Sequence, residues 1–226
     1  MPADLLPCVE VGPDGAAHSA VIWLHGLGAD GHDFEPIVPL LGLDPALGVR
    51  FVFPHAPRRA VTVNMGLIMP AWYDIRSLTL RRDVDENGVR ESAEHVRRLI
   101  LRENERGIPS GRIVLAGFSQ GGAIALHLAL RHPQSLAGIV VLSTYLVCED
   151  SLETERSEAN RATPIFQAHG TADPMVPLGA GERTRDRLRE LGYEVEWQTY
   201  PVGHEVHPEE VRKVGRVLRQ RFASTR

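Results

Sequence analysis

Apolar residues along this chain fall into two alternating patterns, short continuous runs and longer stretches with helical spacing. The runs cover residues 20–25, 50–54, 113–118, 138–143, 165–169 and 193–200. Near-continuous apolar runs of this length predict strands buried on both faces. Between them, Val89, Ala93, Val96, Leu99 and Ile100 form one helical stripe, closed by Gly107. Residues 123–131 read as a second helix, and a third spans about 179–191 and stops at Gly192. The last helix begins with Pro208 and shows Val211, Val214, Val217, Leu218 and Phe222 on one face. These stripes predict core packing. Strands alternating with helices predict an α/β fold with a mostly parallel sheet. The length of 226 residues suits one domain, 1–226, with no internal repeat and no linker.

Two segments break the pattern. Residues 55–82 have no clean period and contain proline, glycine and two methionines. Long irregular segments in compact domains are usually functional loops or lids. Residues 145–164 are polar and acidic, and most of that stretch is expected to be surface loop.

Bulk properties remove several classes of function. Apolar residues make up 43% and charged residues 24%, an ordinary globular composition. A net charge of −4 gives no field to attract nucleic acid. The basic excess after Pro208 reads as the solvated face of a helix. No apolar run approaches the ~20 residues that span a bilayer, so no stable membrane insertion is expected. Cys8 and Cys148 are far apart and neither belongs to a Cys-x-x-Cys pair, which suits a reducing compartment. Residues 1–11 lack the basic start and apolar core of a secretory signal, so a cytoplasmic location is expected.

The candidate chemistry sits at the ends of the expected strands, where sites form in parallel α/β sheets. The strand 113–118 runs into Gly117-Phe118-Ser119-Gln120-Gly121-Gly122 and then a helix. This Gly-x-Ser-x-Gly context holds a serine Oγ clear of the sheet and makes Ser119 a candidate nucleophile. The backbone N–H of Gln120 opens the helix and is a candidate oxyanion donor. A serine needs a base, and the base needs an orienting acid. Asp173 follows the strand 165–169 and His204 follows the strand 193–200, giving the order Ser, Asp, His. His207 competes with His204 as the base, but it directly precedes Pro208, where helix entry constrains the backbone. His25-Gly26-Leu27-Gly28 follows the first strand, and the Leu27 amide is the second candidate oxyanion donor.

Other readings of these motifs fail. His204-Glu205 is not a zinc motif, because the next histidine is at i+3 and Pro208 interrupts the helix. The remaining histidines are scattered, so no metal and no cofactor is expected. Gly26-Leu27-Gly28 with Gly31 lacks the acidic residue that a dinucleotide site requires about twenty positions on.

Taken together, these motifs resemble the phospholipase/carboxylesterase family of α/β-hydrolases. The matching segments are His25 to Gly31, Pro54-His55-Ala56-Pro57, Val61-Thr62-Val63-Asn64-Met65-Gly66, Ala71-Trp72-Tyr73-Asp74-Ile75, the Ser119 motif, the Asp173 segment and Gly203-His204. The resemblance implies an α/β-hydrolase fold without a large cap domain. It implies Ser119, Asp173 and His204 as a triad, with the amides of Leu27 and Gln120 as oxyanion hole. Residues 70–75 and 142–146 look like the bacterial carboxylesterase branch, so the expected activity is hydrolysis of carboxylic esters with short to medium acyl chains. The alternative is an acyl-protein thioesterase or lysophospholipase acting on longer chains. An acyltransferase and a non-catalytic binding protein are the rival classes. Arg59-Ala60-Val61 departs from the family, in which many members carry proline before the valine. Leu27, Met65, Ile68, Met69, Trp72, Tyr145 and Val176 are the expected pocket walls, with Trp72 either lining the pocket or packing the loop. The expected partner is a small ester or thioester, and the expected assembly a monomer or homodimer.

Overall fold

The computed structural model describes residues 5–13, 15–77 and 83–223. Among these, the strands are β1 (Cys8–Val11), β2 (Ser19–Leu24), β3 (Val49–Pro54), β4 (Arg58–Val61), β5 (Leu67–Pro70), β6 (Ile113–Phe118), β7 (Gly138–Leu142), β8 (Ile165–Gly170) and β9 (Val195–Tyr200). The helices are α1 (Glu86–Glu105), α2 (Gln120–Arg131), α3 (Leu152–Glu155), α4 (Leu178–Glu190) and α5 (Pro208–Ala223). Seven strands form one sheet in the order β1-β3-β2-β6-β7-β8-β9, in which only the β1–β3 pair is antiparallel.

The continuous apolar runs have the predicted consequence. Along β2, Ile22 and Leu24 face one side of the sheet and Val21 and Trp23 the other. In β6, Ile113 and Leu115 oppose Val114 and Ala116 in the same way. On the first side the sheet packs against the apolar faces of α1, α2 and α4. On the second it packs against α5 and the 3-10 segment Glu35–Leu41. Both faces are therefore covered, as parallel sheets require. The chain lays β3 on one side of β2 and returns to place β6 on the other. That reversal opens a crevice at the carboxyl ends of β2 and β6.

Three expectations need correction. β1 was absent from the predicted set because four residues between Pro7 and Gly12 carry too little pattern. Residues 58–70 are not irregular: β4 and β5 form an antiparallel hairpin, with Val61 opposite Leu67 and Arg58 opposite Pro70. Met65 (φ 55°) and Gly66 (φ 75°) supply the left-handed turn that joins them. Leu67 and Ile68 are exposed, so no buried face marks this hairpin in the sequence. The end of that irregular stretch, 78–82, lies outside the described residues.

The third correction concerns residues 145–164. Tyr145, Leu146, Val147, Cys148 and Leu152 are buried, so this segment is only partly surface loop. Its polar Asn160 is fully buried and satisfied at both ends of its amide. Nδ2 donates to the carbonyls of His132 (2.8 Å) and Gln134 (2.9 Å), while Oδ1 accepts from the Leu136 amide (2.9 Å) and the Thr163 hydroxyl (2.9 Å). A buried polar residue used as a staple is invisible to hydrophobic patterning.

The start of α5 yields a pH prediction. Glu210 is buried, and Oε2 accepts the His207 amide at 3.1 Å while Oε1 has no partner. Burial raises its pKa to about 7 from an ordinary 4.5. A carboxyl whose folded pKa lies above its unfolded one binds its proton more tightly when folded. The associated cost is therefore absent below about pH 4.5 and develops fully as pH rises through 7. Glu210→Gln keeps an acceptor for His207 and removes the charge. It should raise stability above pH 7 by on the order of 3 kcal/mol, with the gain fading toward pH 5. Thermal melting of both proteins across pH 5–8 checks this.

Candidate active site

The elbow after β6 is the most constrained point of the crevice. Ser119 has φ 53° and ψ −122°, a conformation that costs a non-glycine residue about 1–3 kcal/mol. Three hydrogen bonds hold it there. Its amide donates to Leu142 O at 2.9 Å, and its carbonyl accepts from the Ala123 amide (3.1 Å) and the Thr144 hydroxyl (2.6 Å). Close backbone approach fixes the flanking glycines. A Cβ on Gly117 would lie 2.5 Å from the carbonyl carbon of Gly121, and one on Gly121 would lie 2.4 Å from His25 O.

Asp173 and His204 reach the serine from the ends of β8 and β9. His204 Nδ1 is 2.7 Å from Asp173 Oδ2, and its Nε2 is 2.9 Å from Ser119 Oγ. A carboxylate only accepts, so Nδ1 carries the proton and Nε2 is left to accept from the serine hydroxyl. Asp173 Oδ1 accepts the amides of Met175 (2.9 Å) and Val176 (2.8 Å), which leaves Oδ2 for the imidazole. Phe118 packs on the His204 ring at a centroid distance of 4.7 Å. His207 points elsewhere: it stacks on Tyr200, and its Nδ1 accepts the Glu209 amide.

The loop after β2 closes the other side of the crevice. A Cβ on Gly26 would lie 3.6 Å from Ser119 Cβ, so the backbone preceding Leu27 runs directly beside the serine. Ala29 N donates to Gly26 O at 3.3 Å, and Gly28 N donates to Pro70 O at 2.9 Å. Between these bonds the Leu27 amide stays unengaged within the described residues. The Gln120 amide, at the first position of α2, has no intrahelical partner either.

A buried network fixes this loop. His25 Nε2 accepts the Ala56 amide at 3.1 Å, so its Nδ1 donates to Gly26 O at 2.7 Å. Burial lowers the pKa of His25 and favours this neutral form. Trp72 Nε1 donates to His25 O at 2.9 Å. The Gln120 side chain accepts the Trp72 amide at 2.8 Å and donates to Tyr73 O at 2.7 Å. Ser92 of α1 donates to Trp72 O. Sequence reasoning gave Gln120 a backbone role only and gave His25, Phe118 and Thr144 no side-chain role. Their partners are distant in sequence, and no local pattern announces them.

The expected pocket walls divide. Trp72 is fully buried against the loop after β2, so it packs the loop and does not line an open pocket. Val176 is buried in the turn that holds Asp173. Met65 and Ile68 lie on the exposed hairpin, 92% and 64% accessible, and are not enclosing walls. Met69 Sδ lies beside Gly28, 3.9 Å from where a Cβ would stand, at the edge of the crevice. Tyr145 hydrogen-bonds Tyr73 through the two hydroxyls (2.8 Å) and borders a cavity of about 210 Å³ against α4. Among the described residues no group of three or more His, Cys, Asp or Glu side chains could hold a metal ion. No described helix is long and apolar enough to cross a membrane.

The sequence profile of the Phospholipase/Carboxylesterase family matches residues 8–221. The chain belongs to this family. It is a serine hydrolase with an α/β-hydrolase fold. It is 42% identical over 220 residues to acyl-protein thioesterase 1 of Neurospora crassa, covering 93% of this chain and 90% of the relative. Arabidopsis thaliana SOBER1 superposes with a TM-score of 0.85 at 31% identity, over 91% of this chain and all of that one. Zea mays acyl-protein thioesterase 2 superposes with a TM-score of 0.84 at 30% identity, over 96% and 99% of the two chains. The family expected from the motifs is thus the family found. The relatives' names sit with the thioesterases, whereas residues 70–75 and 142–146 suggested the bacterial carboxylesterase branch.

Proposed function

We propose that this chain hydrolyses long-chain acyl thioesters and related acyl esters through an acyl-enzyme on Ser119. The observation that carries the chemistry is the continuous relay Asp173 Oδ2, His204 and Ser119 Oγ, with contacts of 2.7 and 2.9 Å. His204 Nε2 takes the serine proton as Oγ attacks the acyl carbonyl carbon. Asp173 holds the imidazole tautomer and stabilises the imidazolium. The Leu27 and Gln120 amides receive the oxyanion, each worth roughly 3 kcal/mol in the transition state. The thiol or alcohol departs with the proton from His204. Water, activated by the same imidazole, then attacks the acyl-enzyme and releases the carboxylic acid.

The thioesterase reading is favoured by the 42%-identical relative, whose name is acyl-protein thioesterase 1. Exposed Leu67 and Ile68, with Met69 beside Gly28, offer an apolar rim on which an acyl chain would lie. The second reading is a carboxylesterase of short to medium esters, favoured by a direct passage from β6 through α2 to β7 with no further element inserted between them. Both use the same acyl-enzyme. A cytoplasmic location fits the two free thiols, Cys8 and Cys148.

Chain length decides between the readings. We expect kcat/KM to rise from acetyl to palmitoyl across p-nitrophenyl esters and acyl thioesters of a cysteine peptide. An optimum at acetate, with palmitoyl thioesters untouched, would install the short-ester reading instead.

A further inference from the structure

His169, at the end of β8, is fully buried and takes no part in the mechanism above. Its Nε2 is 2.9 Å from Val176 O and 3.7 Å from Asp173 Oδ2. A carbonyl only accepts, so the ring is protonated at Nε2. Nδ1 is buried with no partner. Gly181 of α4 covers it, and a Cβ there would lie 2.4 Å from Nδ1. A second proton on this ring would find no acceptor.

We propose that His169 is a positioning residue for the Asp173 carboxylate, closing the turn 173–176 through its Nε2–H so that Oδ2 stays aimed at His204. The inference rests on the triad reading. The turn is a small machine with two clamps. The Met175 and Val176 amides grip Asp173 Oδ1, and His169 grips the carbonyl of Val176. Release of the second clamp frees the Val176–Pro177 peptide, which directly adjoins the Met175–Val176 peptide whose N–H serves the first. The 3.7 Å gap to Oδ2 is too long for a hydrogen bond, so Oδ2 remains available to the His204 Nδ1–H.

The surroundings keep His169 neutral. Burial lowers its pKa, the Val176 carbonyl and the Asp173 charge act the other way, and His204 adds to the lowering. Glu182 of α4 contributes a weaker opposing field. From β9 the Trp197 ring packs at 6.1 Å, and the Arg185 guanidinium lies over that ring, 5.1 Å from its centroid. A neutral His169 leaves the Asp173 charge to the imidazolium that forms on His204 during catalysis.

The test compares His169→Gln, whose amide nitrogen reaches the place of Nε2, with His169→Leu, which offers no donor. Both are measured on an ester that the wild type hydrolyses, with Ser119→Ala as control and thermal melting to show folding. We expect His169→Leu to lose kcat by on the order of 10²-fold with KM nearly unchanged. The ascending limb of its kcat/KM profile should move to lower pH, because a carboxylate turned away no longer stabilises the protonated general base. His169→Gln should restore both. A folded leucine variant with wild-type kcat, or one with lowered kcat and an unmoved limb, would overturn the assignment. So would a glutamine variant as impaired as the leucine one.

Imidazole nitrogen NMR on the wild type tests the same point without any variant. His169 should remain neutral and Nε2-protonated across the pH range of the kcat/KM profile, and an Nδ1–H or a titration of its own within that range contradicts the proposal. If Ser119→Ala retains activity, the triad reading fails with it. If only the His169 results are adverse, the triad stands and this inference alone falls.

Discussion

Ser119→Ala should lower turnover of any hydrolysed ester by on the order of 10⁶-fold while the protein still folds. The size of the loss follows from what remains. Without Oγ, His204 and Asp173 have no nucleophile to activate, and only the two amides and bound water are left to act on the carbonyl. Folding survives because alanine carries the same Cβ into the φ 53° backbone. The three bonds that hold the elbow all use main-chain atoms of residue 119, and these are untouched. Among the described residues the one bond lost is the 2.9 Å contact to His204, at a site near the surface, which should cost about 1 kcal/mol or less. Steady-state kinetics with a melting curve separates the two effects. A variant that is inactive because it is unfolded, or one that retains wild-type kcat, would contradict the assignment.

Gly121→Ala carries the second large effect, and it acts through the backbone. The added methyl would sit 2.4 Å from His25 O and 2.5 Å from Leu24 O, at and just past the carboxyl end of β2. Main-chain oxygens of a buried strand cannot swing aside as a long side chain would. Either α2 shifts or the β2 end does, and each positions one of the two amides proposed to receive the oxyanion. We expect a stability loss of about 3 kcal/mol and a fall in kcat on the order of 10²-fold. Denaturant titration and kinetics on the same sample check both. Unchanged kcat with unchanged stability would mean that the elbow is not packed against β2 as described.

The two variants divide the site into chemistry and geometry, and the sequence exposes these unequally. Ser119, Asp173 and His204 are legible because each follows a short apolar run, and the structure brings those three strand ends together. The parallel sheet is legible for the same reason: β2, β6 and β7 are buried on both faces and leave uninterrupted apolar runs. The hairpin β4–β5 is hidden because Val61 is buried while its partner strand leaves Leu67 and Ile68 exposed, so burial imprints no regular alternation on it. Trp72 illustrates a different limit. Its type and its loop position suit a pocket wall, but its indole N–H goes to His25 O and its amide to Gln120, partners 47 and 48 residues away. Gln120 and His169 are hidden in the same manner, since their work is done by contacts that local spacing does not encode. Substrate preference is the least legible property, because ester and thioester pass through one acyl-enzyme.

The most direct test of the central claim is to trap the acyl-enzyme position. The protein is incubated with a fluorophosphonate probe, digested, and mapped by mass spectrometry alongside His204→Ala. A single adduct on Ser119, with labelling greatly slowed in the histidine variant, is the predicted result. An adduct on any other residue, or ester hydrolysis that persists while Ser119 stays unlabelled, would contradict it.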